Sequence, residues 1–132
     1  IRAGRGSDSE GVELSELKPL LTEVQRLTHE LEMEFMWFTP TCYCDLNPVQ
    51  MGLGVKTCSA ARTVLAIEPD GNVMPCQSYF ESIGNAVDDD FAVMWQHPLA
   101  IKLRNREIVH PKCHKCEKFS LCGSGCPLDK CC

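Results

Sequence analysis

Ten cysteines in 132 residues are where this sequence can do chemistry, and their spacing is ordered. Near the C-terminus the chain reads Cys113-x2-Cys116-x5-Cys122-x3-Cys126, followed by the adjacent pair Cys131 and Cys132. Upstream stands Cys58-x12-Gly71-x4-Cys76, with Cys42 and Cys44 before it. Two cysteines two residues apart bring both sulfurs to one metal from a tight turn, a unit shared by zinc and iron-sulfur sites. One such pair is a weak signal, but four cysteines in this register together with the upstream set are hard to obtain by chance. A cysteine nucleophile would need one activated thiol and an oriented base, not many thiols at ligand spacing.

Metal ligation requires thiols that stay reduced. Eight acidic residues fall between Asp8 and Glu34, unlike a secretory leader, and no apolar run approaches the roughly 18 to 20 residues needed to cross a bilayer. The sequence therefore reads as cytoplasmic and not membrane-bound. In that compartment clustered cysteines are metal ligands sooner than disulfides, with zinc as the alternative to iron-sulfur. The net charge of -5 disfavours nucleic acid as a partner, since counterion release needs a concentrated positive surface. With 44% apolar and 23% charged residues the chain has the composition of an ordered globular protein of about one domain.

The elements that must position these cysteines follow from periodicity. Leu14, Leu17, Leu20, Leu21, Val24, Leu27 and Leu31 recur at three and four, which predicts an amphipathic helix ending near Glu32, with Ser15 as N-cap and Pro19 in the first turn. Residues 34–38, rich in aromatics, read as a buried strand after it. Residues 41–58 show neither period, and Gly52-Leu-Gly54 belongs to turns. Strand-like residues 63–68, the turn Pro69-Asp70-Gly71-Asn72 and residues 73–75 predict a β-hairpin that brings Cys58 toward Cys76. Asp88-Asp89-Asp90 marks the start of a short helix that Pro98 breaks before a second turn through Leu103. From His110 onward there is too little apolar material for a core, so this tail must be stapled by metal. The fold class is α+β.

The cysteine register resembles that of the SPASM auxiliary domain of radical S-adenosylmethionine enzymes: Cys, nine to fifteen residues, Gly, four residues, Cys, a gap, Cys-x2-Cys-x5-Cys-x3-Cys, a second gap and a last Cys. The match runs from Cys58 to Cys132, and Gly84-Asn85 with the helix through Trp95 is similar to the family's connecting segment. The resemblance implies two [4Fe-4S] clusters with crossed ligands. The first would use Cys58, Cys76 and Cys126 with an upstream cysteine, Cys44 in preference to Cys42. The second would use Cys113, Cys116 and Cys122, closed by Cys131 or Cys132.

The Cys-x3-Cys-x2-Cys motif that binds the S-adenosylmethionine cluster in such enzymes is absent. The chain is thus expected to be the C-terminal fragment of a longer enzyme and inactive alone, with the cofactor held by the missing core. Residues 1–40 would be the last helix and strand of its partial β/α barrel and residues 41–132 the auxiliary domain. The resemblance implies as partners the core of the same parent chain, a peptide, protein or tetrapyrrole substrate, and an electron donor. Seven of the thirteen Lys and Arg lie between Lys102 and Lys130, where their charge offsets the thiolates; His110 and His114 read as exposed loop residues beside Lys112, Lys115 and Lys118, with metal ligation or donation to sulfur as the alternative. Asp45 and Asp70 are the only carboxylates near the cysteine motifs suited to acid-base work, and the hairpin turn accounts for Asp70.

Overall fold

A computed structural model describes residues 11, 12 and 14–129; Cys131 and Cys132 lie outside the described residues. Its element order is α1 (Leu14–Glu30), β1 (Ala66–Ile67), β2 (Asn72–Met74), β3 (Gly84–Asn85), α2 (Phe91–Trp95), α3 (Pro98–Arg104), a 3-10 helix (Pro111–Lys115) and α4 (Phe119–Cys122). Helices and a small antiparallel sheet lie in separate stretches, as an α+β chain requires. The described residues divide into two compact units: residues 59–109 form one, and residues 11–58 together with 110–129 form the other.

In the second of these, the leucine stripe does form α1. Leu21 is buried with Leu46 and Leu53, and Leu17, Phe35, Trp37 and Met51 pack around them. Gln25 Nε2 donates to the Met51 carbonyl at 2.9 Å, tying the helix to the irregular chain after it. Leu20, Leu27 and Leu31, from the same stripe, are exposed. The helix begins at Leu14, two residues earlier than a Ser15 cap would place it, so Ser15 is already helical and is not its cap, and Pro19 sits inside the helix. It ends at Glu30: Glu32 takes φ 54, and the Met33 and Glu32 N–H groups donate to the Thr28 and His29 carbonyls. That left-handed closure satisfies the last carbonyls two residues before the expected end.

The strand expected over residues 34–38 is not formed. Phe35 and Trp37 are half-buried and Met36 and Phe38 exposed, an alternation of period two, yet this extended segment pairs with no strand among the described residues. Aromatic content suited a chain that is half-covered; it did not supply a ladder partner.

The unit of residues 59–109 contains the whole sheet, in the order β1-β2-β3 with every pairing antiparallel. The expected hairpin is present but shorter on its first arm. Ser59's carbonyl accepts from the N–H groups of Arg62, Thr63 and Val64, which coils residues 59–64 into a turn and leaves only Ala66 and Ile67 to pair with Met74 and Val73. The connection is the expected one: Gly71 N–H closes onto the Glu68 carbonyl at 2.9 Å with φ 87, and Asp70 Oδ1 accepts the Asn72 N–H. Ala61 N–H donates to the Pro75 carbonyl at 2.9 Å, so the turn three residues after Cys58 is bonded to the residue before Cys76.

Asp90 caps α2 by accepting the Ala92 N–H at 2.7 Å, as the acidic triplet predicted, and His97 Nδ1 caps α3 with Pro98 in its first turn. The Arg104 guanidinium lies 4.3 Å over the Trp95 ring and donates to the Trp95 and Ala61 carbonyls, joining α3, α2 and the turn after Cys58. No helix among the described residues is long and apolar enough to cross a membrane.

Candidate metal centre

The best-defined sulfur environment lies in the unit that holds residues 110–129. His110 begins it: its imidazole Nδ1 accepts the Lys112 N–H, capping the 3-10 helix, and its carbonyl accepts the Cys113 N–H at 2.8 Å. Cys113 is therefore held in a tight turn, and its carbonyl in turn accepts the Cys116 N–H at 3.0 Å. This is the local geometry that a Cys-x2-Cys pair uses to present two sulfurs from one loop. Phe119 then starts α4, packs against the ring of His114 at 5.9 Å, and carries the chain to Cys122 at the helix end.

Gly123, Ser124 and Gly125 all adopt positive φ, at 62°, 67° and 68°. This left-handed run stops α4 and turns the chain toward Cys126. All of residues 122–126 are buried, although the segment is built from small and polar groups.

Two hydrogen bonds end on sulfur here. Tyr43 donates its backbone N–H to Cys122 Sγ at 3.4 Å, while the Cys122 thiol lies 3.5 Å from the Thr41 carbonyl. Ser124 donates its hydroxyl to Cys113 Sγ at 3.2 Å and accepts the His110 N–H at 3.4 Å. Tyr43 is itself buried, and its phenol oxygen accepts the Lys56 N–H at 2.9 Å, so segment 41–58 braces the donor on Cys122. Neither Ser124 nor Tyr43 stood out in the sequence; a hydroxyl between two glycines reads as linker, and a backbone donor leaves no residue-type signal.

The other cysteines are placed as follows. Cys126 is buried; Cys58 and Cys76 are half-buried, and Cys116 is exposed. Cys42 and Cys44 are disulfide-bonded. A disulfide sulfur is not a thiolate, so a ligand role for Cys44 belongs to the reduced chain. Tyr79, three residues after Cys76, has its phenol pushed up, first by burial and then by the charges of Glu81 and Cys76. Asp70 is engaged in the hairpin turn, where its carboxylate accepts from the backbone and side chain of Asn72.

Among the described residues no three Cys, His, Asp or Glu side chains already converge as a metal-binding group. The donor chemistry nonetheless fits iron-sulfur ligation. Cys113 lies in the 3-10 helix and Cys122 in α4, two short elements of one unit that pack together with Cys116 in the link between them, and the sulfurs of Cys113 and Cys122 already accept hydrogen bonds, as ligating thiolates do.

Residues 58–117 match the model of the SPASM family of iron-sulfur cluster-binding domains. Over this segment the chain is similar to SPASM domains. The match takes in Cys58, Gly71, Cys76, Cys113 and Cys116, and the family it points to binds iron-sulfur clusters. Cys122 and Cys126 continue the cysteine register beyond the matched SPASM segment. Comparison with curated proteins and with solved structures returned no match.

Proposed function

We propose that this chain is the auxiliary domain of a radical S-adenosylmethionine enzyme and holds two [4Fe-4S] clusters. The observation that carries this reading is the full cysteine register, Cys58-x12-Gly71-x4-Cys76 and Cys113-x2-Cys116-x5-Cys122-x3-Cys126, around the SPASM match. One cluster takes Cys113, Cys116 and Cys122, with Cys131 or Cys132 as closing ligand. The other takes Cys58, Cys76 and Cys126, with Cys44 or Cys42 after reduction of its disulfide. Such clusters supply one-electron transfer, and an iron left without a fourth sulfur supplies a point of attachment for substrate.

The chain's own residues bind and tune. Tyr43 and Ser124 donate to two of the ligand sulfurs, and the burial of Cys122 and Cys126 keeps water from theirs. The basic residues between Lys102 and Lys130 offset the thiolate charge and offer a face to an electron donor. In the parent enzyme, cytoplasmic on this reading, α1 is the end of the partial barrel that carries S-adenosylmethionine. The domain anchors a peptide, protein or tetrapyrrole substrate or relays electrons during its modification.

The test is the content of iron, acid-labile sulfide and zinc per chain, measured on protein purified without oxygen and reconstituted. About eight irons and eight sulfides per chain are expected. About two zincs without sulfide would replace this reading with a zinc-stapled structural module.

A further inference from the structure

We infer that Ser124 is a positioning residue of the iron-sulfur site: its hydroxyl proton, aimed at Cys113 Sγ, raises the reduction potential of the cluster that Cys113 ligates. The inference rests on the ligand role proposed above for Cys113.

Three observations carry it. The first is direction. Ser124 Oγ accepts the His110 N–H at 3.4 Å, so an oxygen lone pair is occupied and the hydroxyl proton is directed at Cys113 Sγ, 3.2 Å away. Once sulfur is a metal-bound thiolate it has no proton to give, and the contact has only one polarity: oxygen donates, sulfur accepts. The second is burial. Ser124 is 7% exposed, so water does not compete for the proton, and a hydrogen bond in such surroundings counts for more than one at the surface.

The third is backbone strain. Ser124 holds φ 67 between two glycines at φ 62 and φ 68. Glycine would occupy the central position without strain, whereas a side chain there is disfavoured by contact with its own backbone. A strained residue that persists inside a ligand loop points to a task for its side chain. Here the side chain has one hydroxyl, and it ends on the sulfur. A donor to a cluster thiolate draws electron density from the sulfur and favours the reduced, more negative cluster.

The experiment uses the full chain, purified without oxygen and reconstituted, as the parent and as Ser124→Ala and Ser124→Gly. Iron and sulfide are counted, and each cluster is titrated with reductant while its electron paramagnetic resonance signal is followed. Both variants are expected to keep the parent's iron and sulfide. One cluster should become harder to reduce by about tenfold in its reduction equilibrium, which for a one-electron couple is ~59 mV. Ser124→Gly leaves the left-handed backbone unstrained, so a shift common to both variants belongs to the hydroxyl. An unchanged potential in a fully loaded Ser124→Gly would overturn the inference, and so would a shift confined to Ser124→Ala. A parent chain that takes up no iron and sulfide would overturn the proposed function and this inference with it.

Discussion

Replacing Gly71 by alanine tests why the cysteine register contains a glycine at that position. Gly71 has φ 87, a conformation that an L-residue adopts at a cost of about 1–2 kcal/mol. An added Cβ would stand 2.6 Å from Asn85 Oδ1 and 3.0 Å from its Nδ2, closer than side-chain atoms approach. Asn85 is not free to retreat, because its Oδ1 accepts the Val87 N–H at 2.9 Å and its Nδ2 donates to the Asp70 carbonyl at 3.1 Å. Giving up those two bonds costs about 1 kcal/mol each. Gly71→Ala should therefore destabilise the chain by about 3–4 kcal/mol, a large fraction of an ordinary domain's stability. The assay is denaturant unfolding of the full chain in a cycle with Asn85→Ala. In the double variant the alanine meets no amide and the two bonds are already lost, so the effects should add to less than their sum by more than about 1 kcal/mol. A loss below about 1 kcal/mol for Gly71→Ala, or strict additivity in the cycle, would refute the reasoning.

Arg104→Ala removes the guanidinium over Trp95 and its bonds to the Trp95 and Ala61 carbonyls, and should cost about 2 kcal/mol in the same unfolding assay. Arg104→Lys keeps the charge but lacks the planar fork, and should recover less than half of the loss. Cys126→Ala should lower iron by about one cluster's worth, and unchanged iron would remove Cys126 from the ligand set; Cys131→Ala and Cys132→Ala, assayed separately, should show which of the two closes the other cluster. Glu23, exposed on α1, is held below the usual carboxylate range, mainly by its hydrogen bond from Arg26. Its small contribution to stability is thus present at neutral pH and lost as pH falls through the lowered value, and Arg26→Ala should return its titration, followed by NMR, to the ordinary range.

Much of the scaffold could be read from residue types because local physics dictated it. The leucine spacing marked α1, Pro69-Asp70-Gly71-Asn72 marked the hairpin turn, and Asp90 marked the start of α2. What escaped depends on partners distant in sequence. Residues 34–38 have strand-like composition and even alternate in burial, but a strand exists only when another chain segment lies alongside. β3 pairs with β2 through Asn72 with Asn85 and Val73 with Gly84, a two-residue match too short to leave a pattern. At the candidate centre the cysteine types and spacing were plain. The donors to them were not, since Tyr43 acts through its backbone on a sulfur 79 positions away and Ser124 looks like part of a flexible Gly-Ser-Gly stretch.

The left-handed run after α4 has a consequence for how sulfurs are shared out. In a continuing helix, residues four apart such as Cys122 and Cys126 would sit one above the other on the same face, suited to gripping a single object. Three successive residues of opposite hand cancel that stacking, so the two sulfurs lose their common face although only three residues separate them. A short segment of this kind works as a crossbar: a fixed reversal of the chain, buried along its length, sets where each end is presented relative to the other. Lengthening it by one residue would preserve every thiol and every glycine, yet uncouple the two ends.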